Sequence, residues 1–170
     1  MEVYGVITYD LLCPVTLPNA RGFADMTSCE HHRCAYIADH IDMCVHRLDL
    51  EGHVTQWAVK DKPRSVSVNA AHNVLVTCDA VRKIKEFRSH GGLLREVTLP
   101  DVINPLHGIQ LTNGQFVVCH GDHGDEVNRV CLVNADGKDI LHSHGGQPGS
   151  DTGQYNGPCL LYTSPSPRDS

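Results

Sequence analysis

The chain has 170 residues, a formal net charge of −6 at pH 7 and an aromatic content of only 5%. An acidic balance argues against a surface devoted to neutralising nucleic-acid phosphates, although local basic patches can still bind. The sequence contains no run of about 18 apolar residues, so we expect no membrane-spanning helix and no membrane partner. Valine, isoleucine and threonine recur in short runs, which favours short strands over long helices.

An eight-residue phrase occurs twice. It reads LLCPVTLP at residues 11–18 and LLREVTLP at residues 93–100, an offset of 82 residues. Half of this offset is 41 residues, which fits the length of one four-stranded propeller blade. A single sheet of this size cannot bury its faces alone, so we predict units that stack on their neighbours.

Three units follow in chain order, each with four short strands and a glycine turn before the fourth strand. They cover about residues 26–59, 65–99 and 107–144. Asn-Gly and Asp-Gly pairs in the third unit are typical hairpin turns. The spacing therefore predicts an all-β chain of four-stranded antiparallel blades.

The segments around these units follow the same scheme. Residues 1–18 match the end of a preceding blade, and residues 19–158 hold the three complete blades and the start of another. Gly137 follows Gly91 by 46 residues, five more than the repeat period, so an insertion falls between the second and third strands of the third unit. Residues 159–170 have no strand pattern and resemble translated sequencing-adapter sequence, so we exclude this non-native tail from fold reasoning.

Two phrases of the first unit carry a family resemblance. The sequence YIAD at residues 36–39, followed by VHRLDLEG at residues 45–52, resembles the NHL repeat, with its Y-V-A-D core and its R-I-x-x-F-D-x-x-G phrase. The resemblance extends over about residues 3–158 and implies a β-propeller, which has six blades in this family. Cys78 and Cys119 stand where the motif has aspartate, so we expect the hydrogen bonds of that aspartate to be missing in these two units.

Three whole blades and parts of others cannot close a six-bladed ring. We therefore predict a partial NHL-type propeller, completed by the remaining blades of the same full-length chain. Exposed sheet faces and edges would make residues 1–158 alone poorly stable. Well-behaved monomeric two-state unfolding of that segment would contradict this expectation.

Seven cysteines precede the tail, without a paired C-x-x-C framework. An odd number in strand-like surroundings is typical of reduced, buried thiols. We therefore predict a cytoplasmic protein.

The only basic run of the chain is RKIKEFR at residues 82–88. In a strand, Arg82 and Arg88 share one face and Lys83 and Lys85 the other, so these four candidate binding residues are split between faces. Some NHL propellers bind single-stranded RNA on a basic face, so the resemblance makes RNA binding an alternative function. Solvated strand edges on an acidic protein are the simpler interpretation.

The inserted segment contains His120, Asp122, His123 and Asp125. It lacks the ligand register of a calcium-binding loop, and a solvated surface loop is its simpler interpretation. Because functional variation concentrates in loops on a rigid scaffold, these four residues are further candidates for binding a partner.

The densest group of possible zinc ligands is CEHHRC at residues 29–34. Zinc sites usually combine two close ligand pairs, and only one is evident here. We predict a polar turn between two thiols that face each other across a hairpin, with no metal and no other cofactor.

A zinc enzyme is the remaining alternative. Peptidyl-hydroxyglycine lyases are NHL-like propellers that hold zinc with histidines from several blades around the central channel. His107 begins an inner strand and is placed to be one such ligand, but the equivalent positions near residues 25–26 and 64–65 supply no histidine. We predict no catalytic residues and no enzyme activity.

The resemblance also implies a function. NHL propellers often close tripartite-motif proteins that carry a ubiquitin-ligase module upstream, and none of those zinc modules is present in this chain. We predict a non-catalytic module that recognises a protein partner through its rim loops, as the substrate-binding end of such a ligase.

Overall fold

The computed structural model describes residues 2–4, 11–14, 17, 21–101, 103–121 and 128–146. The tail at residues 159–170 lies outside them. The described residues form fourteen strands and no helix. In chain order the strands are β1 Glu2–Tyr4, β2 Leu11–Pro14, β3 Phe23–Cys29, β4 Cys34–Asp39, β5 Cys44–Asp49, β6 Val54–Ala58, β7 Ser65–Val68, β8 Val74–Cys78, β9 Lys83–Phe87, β10 Leu93–Thr98, β11 Pro105–Gln110, β12 Phe116–His120, β13 Arg129–Val133 and β14 Ile140–Gly145.

These strands pair in chain order. β3 to β6, β7 to β10 and β11 to β14 form three four-stranded antiparallel sheets, while β1 and β2 form a separate pair. The predicted all-β architecture of four-stranded antiparallel blades is confirmed. The described residues contain no helix that is long and apolar enough to span a membrane.

The repeat period is visible in hydrogen bonds between the first strands of neighbouring blades. Val66 N donates to Asp25 Oδ2 at 3.0 Å, across 41 residues. Ser67 Oγ donates to the carbonyl of Gly108 at 2.7 Å, again across 41 residues. β3, β7 and β11 therefore lie side by side as the inner strands of three consecutive blades.

The blades are held together by apolar clusters between their faces. The cluster between the first two blades includes Tyr36, Val66 and Phe87, and Leu75 and Phe116 belong to the cluster between the second and third. The middle blade is therefore buried on both faces, and its central strand β8 is buried throughout. Such two-sided burial is what the repeat architecture requires.

A buried polar or thiol group stands at the equivalent position of the third strand in each blade. It is His46 opposite Ile37, Lys85 opposite Val76, and Cys131 opposite Val118 in the strand pairing. The three groups differ in charge, although their positions are the same.

Two inner strands begin earlier than the sequence pattern predicts. β3 begins at Phe23 rather than at residue 26, and β11 begins at Pro105 rather than at His107. In both strands the register shifts after the first pair, between Phe23 and Asp25 and between Pro105 and His107. A bulge of this kind interrupts the alternation on which the prediction depends.

The thiols follow the sequence prediction at five described positions. These free, buried cysteines are Cys29, Cys34, Cys44, Cys78 and Cys131. Burial raises the pKa of Cys44 to about 11 and that of Cys78 to about 12, so both stay protonated at neutral pH. Cys119, in contrast, takes part in a disulfide bond, so the expectation of uniformly reduced thiols is wrong there.

Two glycines at fourth-strand turns offer a test of blade packing. Gly137 and Gly52 both have positive φ, but a Cβ on Gly137 would collide with the Val97 side chain and lie 2.7 Å from the Thr98 carbonyl oxygen. A Cβ on Gly52 would meet nothing within 4 Å. We expect Gly52→Ala to lower the free energy of unfolding by about 1 kcal/mol, through backbone strain. Gly137→Ala should cost about 2 kcal/mol, because overpacking is added. Urea unfolding measures both, and equal costs would contradict the described contact between blades.

Candidate functional site

The inner strands line a cleft of about 900 Å³. Side chains from β3, β7 and β11 form its wall, and the first turns of all three blades bound one end. We call it the axial cleft. Its lining includes Asp25, Asn69, His107 and Gln110 among apolar side chains such as Val68 and Ile109.

A buried carboxylate–imidazole pair lies in the axial cleft. Nε2 of His107 is 3.7 Å from Oδ2 of Asp25, which also accepts the hydrogen bond from Val66 N. Nδ1 of His107 is buried and has no hydrogen-bond partner among the described residues. Burial lowers the pKa of His107, and the nearby Asp25 carboxylate opposes that effect only in part. The lowered pKa favours the neutral imidazole at neutral pH.

The predicted basic run does not form a basic surface. Lys85 is 3% exposed, and its Nζ contacts the carboxylates of Asp61 at 2.6 Å and Glu96 at 3.1 Å. It also donates to the carbonyl of Val59 at 2.9 Å. Lys83, 31% exposed, pairs with the same Glu96 at 2.7 Å. Both lysines are therefore neutralised inside a structural network.

The two arginines of the run lie far apart on the blade. Arg82 is the last residue of the β8–β9 turn, and its guanidinium is 3.4 Å from the Asp101 carboxylate. Arg88 begins the β9–β10 turn at the other end of β9, where its N–H donates to Gly92. The four predicted residues thus do not converge on one site.

The inserted segment is described only at its start. Nδ1 of His120 accepts a 2.6 Å hydrogen bond from the backbone N–H of Asn104, so this histidine anchors the connection before β11. Asp122, His123 and Asp125 lie outside the described residues.

The two thiols that flank the dense histidine turn lie in the apolar core between blades. Cys29 and Cys34 lie directly opposite each other across the β3–β4 hairpin, as predicted, and both point into the apolar cluster between blades. Among the described residues, the ligand atoms of one group, Asp49, Glu51 and His53, lie close enough together to share an ion. There the Asp49 carboxylate accepts from the backbone N–H of His53 and stabilises the β5–β6 turn.

One rim of the blades carries exposed apolar side chains that the sequence analysis did not single out. It consists of the β4–β5 and β8–β9 turns and the β6–β7 and β10–β11 connections, and we call it the loop rim. Val59 N donates to the Met43 carbonyl at 2.9 Å, and Leu99 N donates to the Arg82 carbonyl at 2.8 Å. These bonds join each turn to the neighbouring connection. Ile41, Met43 and Val81 project from the turns and are exposed.

The backbone under these side chains is well fixed in the first blade. The buried Asp39 carboxylate accepts hydrogen bonds from the N–H groups of Ile41, Asp42 and Arg21 at 2.9 to 3.0 Å. Burial alone would raise the pKa of Asp39, but these hydrogen bonds outweigh it and lower the pKa to about 2. Arg21 also pairs with the Asp42 carboxylate at the surface.

Comparisons with known proteins agree with the fold. No protein-family model and no curated protein sequence matches the chain. Among solved structures, virginiamycin B lyase from Staphylococcus aureus is similar, with 19% identity, a TM-score of 0.57, and coverage of 75% of this chain and 42% of that chain. The hydrazine synthase of Kuenenia stuttgartiensis has 14% identity and a TM-score of 0.65, over 80% of this chain and 40% of that chain.

The nidogen/laminin complex is also similar, with 17% identity, a TM-score of 0.60, and coverage of 76% of this chain and 51% of that chain. Another similar structure is described as the Dos1 propeller, with 11% identity and a TM-score of 0.54. The chain thus spans about half the length of the structures it resembles. At these identities the likeness concerns the fold alone, and it identifies the three stacked sheets as part of a β-propeller.

Proposed function

We propose that this chain is a non-catalytic propeller module that recognises a protein partner through the loop rim. The observation that carries the proposal is the exposure of Ile41, Met43 and Val81 on rigid turns of neighbouring blades. Exposed apolar side chains that are grouped and surrounded by charges are typical of protein interfaces. Arg82 and Asp101 supply such charges beside Val81.

The charges argue for protein rather than RNA as the partner. RNA binding depends on lysine and arginine side chains that are free to contact phosphates. Lys85 is buried with two carboxylates, while Lys83 and Arg82 each contact one. The basic run RKIKEFR therefore leaves few cations free to contact phosphates.

The finer part of the proposal is an NHL-type propeller that serves as the substrate-binding end of a tripartite-motif ubiquitin ligase. The YIAD phrase supports it, because Tyr36 is fully buried and Asp39 stabilises the turn that displays Ile41 and Met43. Tyr36 and Asp39, which carry the resemblance, thus hold in place the turn that forms part of the proposed interface. Five free buried thiols favour the cytoplasmic location that this implies, and the disulfide at Cys119 argues against it.

A second candidate function is chemistry in the axial cleft. The buried Asp25–His107 pair favours it, since a neutral imidazole with one unpartnered nitrogen can accept a proton or a hydrogen bond. Propeller neighbours include lyases, among them one described as catalytically inactive when a histidine is replaced by alanine. Zinc-dependent chemistry in the axial cleft gains no support. Among the described residues, no second imidazole lies close enough to His107 to share a metal ion with it.

The test uses matched pairs of exposed side chains on opposite rims. Ile41 and Met43, 48% and 46% exposed, lie on the loop rim. Leu93 and Leu94, 52% and 42% exposed, begin β10 after the β9–β10 turn, at the other end of the blades. We expect the I41N/M43N variant to lose at least about tenfold in affinity for a protein captured by the wild type, since buried apolar anchors dominate interfaces. Asparagine tolerates the positive φ of Met43.

The affinity of each variant for the purified partner is measured by titration calorimetry or surface plasmon resonance. The L93N/L94N and His107→Gln variants should bind like the wild type. Loss of binding in L93N/L94N alone would contradict the assignment of the rim. Loss in His107→Gln alone would shift the function to the axial cleft, and capture abolished by ribonuclease would favour RNA.

A further inference from the structure

Two cysteines lie directly opposite each other at the base of the β3–β4 hairpin. Cys29 ends β3 and Cys34 begins β4, and the two residues are strand partners in the part of the ladder where the register is regular. Directly opposed side chains of an antiparallel pair lie on the same face of the sheet. Neither of the proposed functions uses these two thiols.

The strand pairing brings the two cysteines within reach of a disulfide bond. Directly opposed residues of an antiparallel pair have Cα atoms about 4.5 or 5.5 Å apart, depending on the kind of pair. Disulfide bonds join cysteines whose Cα atoms are about 4.4–6.8 Å apart, so both kinds of pair qualify. The bond therefore needs a change of side-chain rotamers and at most a small approach of the two strands.

The two thiols are free and share one environment. Cys29 and Cys34 are each 5% exposed, and both belong to the apolar cluster between the first two blades. Tyr36 lies beside them, on the same face of β4 as Cys34. Burial raises the pKa of the Tyr36 hydroxyl, and the neighbouring Cys34 and Cys29 add to this effect. Both sulfur atoms thus lie around one hydroxyl group.

The axial cleft gives access to one member of the pair. Cys29 belongs to the lining of the cleft, and no other cysteine among the described residues does. A small oxidant in the cleft therefore reaches Cys29 first, while Cys34 lies behind it in the apolar cluster. An accessible thiol beside a second, resolving thiol is the usual arrangement of a redox-sensitive pair.

The other free cysteines of the described strands have no cysteine opposite them. In the strand pairing, Cys44 is opposite Asp39 and Ala58, Cys78 is opposite Lys83, and Cys131 is opposite Val118 and Ser143. These three thiols therefore serve as internal controls for any oxidation of the chain.

We propose that Cys29 and Cys34 form a reversible disulfide bond when a peroxide enters the axial cleft. The Cys29 thiolate attacks one peroxide oxygen, the O–O bond breaks, and Cys29 becomes a sulfenic acid while the first water leaves. The Cys34 sulfur then attacks the Cys29 sulfur, and the S–O bond breaks with release of a second water. In total the two thiols lose two electrons and two protons, and hydrogen peroxide accepts both.

The bond acts on the turn end of the axial cleft. It fixes the base of the turn that carries His31, which lines the cleft and stacks on His72 of the next blade with ring centroids 3.9 Å apart. Oxidation therefore tightens this end of the cleft, and reduction by a dithiol releases it. The loop rim lies at the other end of β4, so partner binding there should not depend on the redox state of the pair.

Peptide mapping by mass spectrometry tests the pair in the wild-type chain. The full chain is reduced, freed of reductant, treated with hydrogen peroxide, and alkylated in denaturant before digestion. Trypsin cleaves after Arg33, so Cys29 and Cys34 fall in separate peptides, residues 22–33 and 34–47. We expect these peptides to be linked, with a mass lower than their sum by two hydrogen atoms, and dithiothreitol should release them.

Two outcomes of this experiment would overturn the proposal. One is the absence of the linked peptides after peroxide treatment. The other is irreversible oxidation of Cys29 to a sulfinic acid in place of the link. Alkylated Cys78 and Cys131 in the same digest show that the thiols without an opposed cysteine have stayed free.

Cys44 provides the matched control, because it lies in the same tryptic peptide as Cys34. The Cys34→Ala variant should lose the linked species, and the Cys44→Ala variant should keep it. Fragmentation of the linked wild-type peptides locates the bond without any variant. A bond between Cys29 and Cys44 would contradict the assignment from the strand register.

Histidine NMR resonances report whether the bond acts on the cleft. The ring signals of His31 and His72 should shift when the wild-type chain is oxidised, and they should stay in place in Cys34→Ala under the same treatment. Unchanged ring signals in a fully linked chain would refute the effect on the turn end of the cleft.

Discussion

Replacing Lys85 with alanine is expected to lower the free energy of unfolding by about 3 kcal/mol. The ammonium group is buried between the Asp61 and Glu96 carboxylates and donates to the Val59 carbonyl. Removing one partner of a buried ion pair typically costs about 3–5 kcal/mol, because the other charges are left without compensation. The carboxylates are each about a third exposed, so the lower end of that range applies.

Lys83→Ala is the matched control in the same strand. Lys83 contacts the same Glu96, but it is 31% exposed, and surface pairs contribute about 0–1 kcal/mol. The free energies of unfolding of the two variants are compared by urea unfolding. A shift of the midpoint at an unchanged m-value reports a change in stability. Equal destabilisation by the two substitutions would show that Lys85 is not the structural residue described above.

Asp39→Ala is the second substitution with a large expected effect, about 3 kcal/mol. It removes the acceptor of three backbone N–H groups, those of Arg21, Ile41 and Asp42. Each lost hydrogen bond of this kind is worth about 1 kcal/mol. The imidazole of His46, 3.6 Å away, loses its carboxylate as well.

Asp79→Ala is the control for this substitution. Asp79 begins the equivalent turn of the second blade, and its carboxylate accepts from the Ala80 N–H at 2.8 Å. We expect a cost of at most about 1 kcal/mol. If Asp79→Ala destabilised the chain as much as Asp39→Ala, turn capping would not explain the role of Asp39.

The Asp39 contribution should also depend on pH. Its folded-state pKa of about 2 lies below the ordinary value of 3.8. The stabilisation is therefore complete above about pH 4 and is lost as the pH falls toward 2. The difference in unfolding free energy between wild type and Asp39→Ala should shrink by roughly 2 kcal/mol between pH 6 and pH 2. A difference that stays constant over this range would contradict the depressed pKa.

The sequence predicted the blades well because strands and turns are local features. Turn glycines such as Gly52, Gly91 and Gly137 take positive φ, and they mark the hairpins before each fourth strand. The inner-strand starts were missed because a bulge follows Phe23 and Pro105, and a bulge breaks the period of two.

The candidate residues were harder to predict. The alternation of side chains along a strand correctly placed Lys83 and Lys85 on one face. It does not show which of the two side chains is covered by a neighbouring loop. Lys85 is a structural residue because the carboxylate of Asp61, on the β6–β7 connection, contacts its ammonium group. The contact of His31 with His72 did have a signal, since two histidines one repeat period apart occupy the same position of neighbouring blades.

The third strands carry a different buried group in every blade, and this bears on how similar units avoid pairing wrongly. His46 lies beside Asp39, Lys85 beside Asp61 and Glu96, and the Cys131 thiol beside the Ser143 hydroxyl. Asp39, Glu96 and Ser143 lie on the same sheet as the group that each of them contacts, so an exchange of whole blades would leave these pairs intact. Repeat proteins are prone to misassembly between like units. In this chain the buried pairs act within a blade, because a register slip between β9 and β10 would separate Lys85 from Glu96 and leave a buried cation without that carboxylate.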